Sequence, residues 1–493
     1  MKARTDSVRT ATLVTAAAKY SVVVFNLIIT MVLARVLSPE EFGVVSVISV
    51  FSTFFMMMSD FGLGKGIVQD KTLTREELTG INTVNIYVSL FVGFLFLPCS
   101  LALSFVYNNK IFISLGSVLA FSLFFSSLAT VPNALFMKDR RFVLVGIIGL
   151  CSAVVGGVTA VVLARAGFGC FALVFQSLAT SAINELALYV NAHKEFGIRF
   201  VFHPQLSGIN RILSYSAHQF GFDLINYFAR NLDNILIGKA MGTTALGYYD
   251  KAYKLTTFPV NYLTAVISSS LHPILSEHQD DLEYIYDRYI PIVKFLSLSG
   301  VLFAAICCNT SGELITLAFG NQWAASIIPF AFLSISMWFQ MTASSCGAIY
   351  QSCGKTDLMF RSCLVFVPIQ VAFIILGVST ASLEACTIFV AASFILKFFI
   401  DYWFLITRCF GKSYISFLKT FLPELVLVVV CAVPTLLLNY SGLLECVSLI
   451  TAFLAKVLLI LIAYMIGLKL TRQTKYLTVV VPRHILSFFS WLL

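Results

Sequence analysis

Apolar residues gather in fourteen runs, near 12–35, 42–62, 81–106, 112–136, 142–164, 169–191, 212–237, 246–271, 289–308, 324–348, 359–379, 382–406, 414–437 and 443–468, and polar residues fill the short stretches between them. A helix of roughly 20 mostly apolar residues crosses the hydrocarbon core of a bilayer. In lipid every backbone polar group must be satisfied within the protein, which a helix does one segment at a time. The pattern predicts an all-α polytopic membrane protein of 14 transmembrane helices. No gap between runs is long enough for a soluble domain of ordinary size.

The pattern also repeats. Arg35–Gly43 (RVLSPEEFG) and Lys239–Gly247 (KAMGTTALG) align without a gap at an offset of 204 residues. Each has a base near the end of one run and an apolar residue plus glycine at the start of the next. Spans 1–6 and 7–12 therefore read as two copies of one unit, inserted the same way up and related by an axis along the membrane normal. The expected organisation is two pseudo-symmetric six-helix lobes plus two appended helices. The boundaries are an N-lobe over 1–192, an inter-lobe loop over 193–211, a C-lobe over 212–408, spans 13 and 14 over 409–468, and a tail over 469–493.

Polar residues inside the runs share the repeat. Thr15, Lys19, Asn26 and Thr30 fall on one face of the first span. The offset carries them to Gln219, Asp223, Arg230 and Asn234 on the seventh, where Asn226 and Asp233 join the same arc. One central charge costs about 2.5–3.5 kcal/mol against lipid on insertion scales, so this face must meet protein or water. Two readings fit: interhelical hydrogen bonding, or a hydrated cavity lined by spans 1 and 7. Six polar groups on one arc exceed what helix association needs, which favours the cavity. Lys19 and Asp223 are then expected near each other at its cytoplasmic mouth. Lys251 and Lys254 start span 8, either snorkelling to headgroups or lining the route of an anion. Lys397 and Asp401 have the spacing of an ion pair within one helix. Asp60 ends span 2, and Lys294 and Lys456 stand alone in their spans.

Composition agrees with the class: 59% of residues are hydrophobic and 12% charged, against about 25% charged in soluble chains. The net charge of +9 is spread singly through short loops with no basic stripe, which argues against a nucleic-acid partner. It reports orientation instead. With the amino terminus inside, 22 of the 33 Lys and Arg residues fall in inner segments and 4 in outer ones, so both termini are expected in the cytoplasm. The first run is too long, and too interrupted by Lys19, for a cleaved signal. The tail from Tyr476, broken by Pro482, reads as an interfacial helix. The 12 cysteines lack framework or metal spacing, so no disulfide, metal or other cofactor is expected. No phosphate-binding loop and no HExxH motif occur. The outer loops are too short to carry the acid–base groups of a glycan polymerase. Transport is expected rather than catalysis.

Several stretches bring a family with them: LARVLSPEEFG (Leu33–Gly43), SDFGLGKGIVQ (Ser59–Gln69), NYFARNLDNILIGKAMGTTALGYYDKAYKLTTFP (Asn226–Pro259), HPILSEHQDD (His272–Asp281) and FGNQW (Phe319–Trp323). In these the chain resembles the Wzx-type lipopolysaccharide and exopolysaccharide flippases, the polysaccharide exporter branch of the multidrug/oligosaccharidyl-lipid/polysaccharide transporter superfamily. The resemblance covers most of the first ten spans; the last four match in hydropathy only. It implies two lobes around a central cationic cavity in a bacterial cytoplasmic membrane. It implies an undecaprenyl-pyrophosphate-linked oligosaccharide as substrate, flipped from the inner to the outer leaflet by alternating access. Polysaccharide polymerase and chain-length regulator proteins are implied partners besides membrane lipid. Carried over, Arg230, Asn231, Asp233 and Asn234 line or brace the cavity, with Tyr249, Lys251 and Lys254 following in span 8. Asp250 departs from the basic residue or serine common there. The coupling ion, H+ or Na+ if there is one, would fall to Asp60, Asp223 or Asp233. The alternatives are a cation-coupled multidrug exporter of the same superfamily and a membrane-integral glycan polymerase or ligase.

Overall fold

A computed structural model describes residues 20–60, 63–70, 72–202, 224, 227–228, 230–443 and 447–477. Every regular element among them is helical. The chain divides into two compact units, Met1–Gly247 and Tyr248–Leu493. The division falls within a helix.

The first unit begins with α1 (Tyr20–Val36) and α2 (Pro39–Asp60). Glu41 closes the turn between them, accepting from the backbone N–H of Ser38 at 2.7 Å and from its hydroxyl at 2.9 Å. A short helix, α3 (Leu63–Gln69), follows. Then comes α4 (Arg75–Val106), started by a capping box in which Thr74 and Glu77 satisfy each other's backbone N–H. The run read as one span over 112–136 is two helices, α5 (Ile111–Leu128) and α6 (Thr130–Lys138), meeting at Ala129. Pro132 in the first turn of α6 cannot donate a backbone hydrogen bond, which suits a helix start. The antiparallel pair α7 (Phe142–Arg165) and α8 (Phe171–Phe196) completes the bundle.

The next helical stretch, α9 (residues 230–240), leads into α10 (Thr243–Ser276). It packs on α2 and α4: Tyr227 Oη donates to the carbonyl of Val50, Tyr107 Oη donates to that of Ile235 at 3.1 Å, and Lys239 Nζ donates to that of Val106. The two repeated glycines meet here. A Cβ on Gly43 would lie 1.7 Å from the carbonyl oxygen of Thr243, and one on Gly247 1.9 Å from that of Pro39. Only glycine allows two helix starts this close together.

The second unit holds most of α10, then α11 (Leu282–Asn309), α12 (Ser311–Phe319), α13 (Ile327–Ala343), α14 (Cys346–Ser352), α15 (Thr356–Ser379), α16 (Leu383–Trp403), α17 (Tyr414–Lys419), α18 (Leu422–Tyr440), α19 (Leu449–Leu470) and α20 (Thr474–Leu477). Its core joins Tyr289, Tyr350, Tyr402, Phe398 and Phe417. A second cluster fastens α18 and α19 to α11 through Leu298, Leu427, Ile460 and Tyr464.

Eleven of the described helical segments are long and apolar enough to cross a membrane, and Tyr20–Val36 is a shorter apolar helix. The chain is therefore a multi-pass membrane protein. Two lysines that look solitary in the sequence prove to be paired: Lys294 meets Glu424 and Lys456 meets Glu313. Lys397 meets Asp401 at 2.8 Å, as its spacing led one to expect. Reading Lys294 and Lys456 as alone missed partners that lie on other helices.

Candidate functional site

A polar face of α8 opens onto space. Gln176, Ser177, Thr180, Ser181, Asn184 and Glu185 recur at the spacing of one helix face. They line a cleft of about 590 Å³ together with Asn26 and Thr30 of α1, Ser126 of α5 and Gly149 and Ala153 of α7. Asn184 and Glu185 also line a second cleft, of about 800 Å³, reached between Asp60 of α2, Gly64 of α3 and Thr130, Asn133 and Met137 of α6. The first runs towards the end of the bundle holding Thr30 and Leu173. The second runs towards the end holding Gly64, Met137 and Phe142. Glu185 lines both, as do Ser126 and Asn184.

Small residues on α7 make this possible. A Cβ on Gly156 would lie 1.9 Å from Thr180 Oγ1, and one on Gly157 2.8 Å from Ile29. The bare backbone lets α1 and α8 approach α7 closely. Hydroxyls on α5 knit the other wall: Ser122 lies 3.3 Å from Ser177 and 3.2 Å from Ser181.

Glu185 is 8% exposed. Its Oε1 accepts from Asn184 Nδ2 at 2.9 Å, while Oε2 is buried without a hydrogen-bond partner. Several other acids of the spans are differently placed. Glu424, Glu313, Asp401 and Asp250 each meet a lysine, and buried Asp233 accepts from the backbone N–H of Asn234. Asp60 accepts from the backbone N–H of Gly64 at 3.4 Å.

The described residues singled out from the sequence have differing local surroundings. Lys19, Gln219, Asp223 and Asn226 lie outside the described residues. Asn26 lines the cleft, and its carbonyl accepts from Thr30 Oγ1 at 2.8 Å. Arg230 is exposed, and Asn231 is half-buried and donates to the carbonyl of Tyr227 at 2.9 Å. Asp233 and Asn234 are buried; Asp233 Oδ1 accepts from the Asn234 N–H at 2.8 Å, and Asn234 Oδ1 has no partner. In the second unit Tyr249 is fully buried and stacked on Tyr253. Lys251 is 3% exposed, with its ammonium 5.9 Å from the centre of the Trp323 ring. Lys254 points outward and pairs with Asp250 at 2.9 Å. The two lysines thus occupy different environments. Glu185 and its stripe escaped the sequence reading, although Gln176, Thr180 and Asn184 repeat every fourth residue. That period was the available signal.

Comparison with known proteins places this arrangement. Residues 32–328 match the family model described as "Polysaccharide biosynthesis protein". The chain belongs to this polysaccharide biosynthesis protein family. The lipopolysaccharide biosynthesis protein WzxC of Escherichia coli (strain K12) is 25% identical over 415 residues, 83% of this chain and 82% of that protein. The succinoglycan biosynthesis transport protein ExoT of Rhizobium meliloti (strain 1021) is 24% identical over 352 residues, 68% of this chain and 67% of that one. Among solved structures, the inward closed conformation of the lipid II flippase MurJ superposes with a TM-score of 0.72. It covers 94% of this chain and 99% of MurJ at 10% identity, a likeness of fold. The resemblance to Wzx-type exporters drawn from the motif stretches holds.

Proposed function

We propose that the protein is a flippase that carries an undecaprenyl-pyrophosphate-linked oligosaccharide from the inner to the outer leaflet of the cytoplasmic membrane, for assembly of a surface polysaccharide. Movement is by alternating access between two pseudo-symmetric six-helix lobes, with two further helices appended. The observation that carries this reading is the pair of clefts in the first unit. Apolar, membrane-length helices there enclose amides, hydroxyls and two carboxylates, Glu185 and Asp60. Sugar hydroxyls must exchange water for such groups if they are to pass an apolar barrier. The diphosphate calls for cations, which Arg230 and Lys254 supply at exposed positions. The polyprenyl tail stays in lipid throughout. Family membership and the names of WzxC and ExoT support the polysaccharide substrate, and the MurJ fold supports a lipid-linked one.

Glu185 gives a second reading some ground: a buried acid in a polar cleft also suits a cation-coupled multidrug exporter. Deleting the gene separates them. A flippase deletion traps lipid-linked repeat units in the inner leaflet, whereas loss of a drug exporter sensitises cells to cationic dyes. Loss of a polymerase leaves single repeat units on the outer face. Dye sensitivity with normal surface polysaccharide would remove the flippase reading.

A further inference from the structure

We propose that Glu185 is the proton-carrying group of this transporter, loaded and emptied by water through the two clefts that it lines. The inference rests on the flippase reading for what the proton is coupled to, and on geometry for the site. A carboxylate held out of water without a cation is costly; taking up a proton removes the charge. Elsewhere the fold meets that cost with a lysine for each of Glu424, Glu313, Asp401 and Asp250. At Glu185 it provides one amide N–H and leaves Oε2 bare. A group kept for packing alone would not need a buried carboxylate oxygen without a hydrogen bond beside two polar clefts. On loading, an O–H bond forms at Oε2 with a proton from cleft water. On emptying, that bond breaks and the proton returns to water.

Few charges face the site. The helices packed on α8 are α5, α6 and α7. Helix α5 has no titratable side chain; α7 has Cys151 and, at its far end, Arg165; α6 has Lys138, whose Nζ donates to the carbonyl of Asp70 at 2.6 Å. On α8 itself Tyr189 lies one turn on, ahead of His193, Lys194 and Glu195. Across the clefts α1 carries Tyr20 and Arg35 near its ends, and α2 carries Glu40 and Glu41 at one end and Asp60 at the other. Of all these, Asp60 alone joins Glu185 in lining the clefts. No described lysine or arginine in the lining locks Glu185 in its ionised form, so the proton is free to come and go. The arrangement moves the expected coupling role from Asp60, Asp223 or Asp233 to a residue on the sixth span.

Infrared difference titration of the purified full-length protein in lipid tests the site without any substrate. The wild type should show a protonated-carboxyl band that grows as pH falls. Glu185→Gln should lack it, and Glu195→Gln should keep it. Glu185→Asp, which keeps the acid, should show a shifted band and provides the readout if the Gln protein accumulates poorly. In cells, Glu185→Gln at normal membrane abundance should lower surface polysaccharide at least tenfold. A band that survives Glu185→Gln, or one that follows sodium at constant pH instead of pH, overturns the proposal. So does normal export by Glu185→Gln cells; if the deletion still traps lipid-linked repeats, the flippase reading stands and only the proton site falls.

Discussion

At the scale of single residues, the second unit is stabilised by charges that satisfy one another inside the membrane. Lys294 and Glu424 are both buried, and Glu424 also accepts from Gln473 Nε2 at 3.1 Å. Phe421 and Tyr476 place their rings 5.4 and 5.6 Å from the ammonium. Removing one partner of such a pair strands the other charge, at a cost of about 3–5 kcal/mol, whereas replacing both with apolar groups is close to neutral. Glu424→Leu should therefore lower the melting temperature of the detergent-purified protein sharply, and the double change Lys294→Met with Glu424→Leu should restore most of it. Equal melting of wild type and Glu424→Leu would show that the pair contributes nothing. The partners are 130 positions apart, so no local sequence pattern announces them. Lys397 and Asp401, one turn apart, were legible for the opposite reason.

At the scale of elements, close approach of helices decides what the first unit encloses. Gly43 and Gly247 stand out in the sequence as the ends of a repeated segment, but their meeting in space is a packing fact. A methyl on Gly43 would overlap the Thr243 carbonyl, and overpacking of this kind typically costs 1–3 kcal/mol. Gly43→Ala should reduce both membrane yield and melting temperature. Gly312→Ala, where nothing lies within 4 Å of the added carbon, should leave both unchanged or slightly raised. Similar behaviour of the two variants would mean that the contact between the helix starts does not matter. The stripe on α8 belongs to this scale too. Its spacing was present in the sequence, yet only the position of α8 between α5 and α7, opposite α1, makes it the wall of a cleft.

At the scale of the molecule, the compact units divide at Gly247, and the family match runs across that division from 32 to 328. The helix that carries the NLDN stretch is held within the first unit through Ile235 and Lys239, with Arg230 exposed. On the reading of this stretch as a seventh span, an exposed arginine needs water or an anion beside it. The flippase reading gives it the pyrophosphate. Arg230→Ala should insert and accumulate normally while surface polysaccharide is lost, measured by gel analysis of extracted glycan against an immunoblot of the membrane fraction. Normal polysaccharide in that strain removes Arg230 from the pathway.

The order of apolar runs settled the class, because the demand that lipid makes on backbone hydrogen bonds is written in hydropathy and length alone. The motifs from Leu33 to Trp323 likewise carried the family. Tertiary structure decided what hydropathy is blind to: that Lys294 and Lys456 are neutralised by distant acids, that Lys251 and Lys254 part company, and that Glu185 is left without a cation. Which groups share a low-dielectric interior depends on helices brought together from far along the chain, and a one-dimensional pattern records the faces of helices without recording what each face meets.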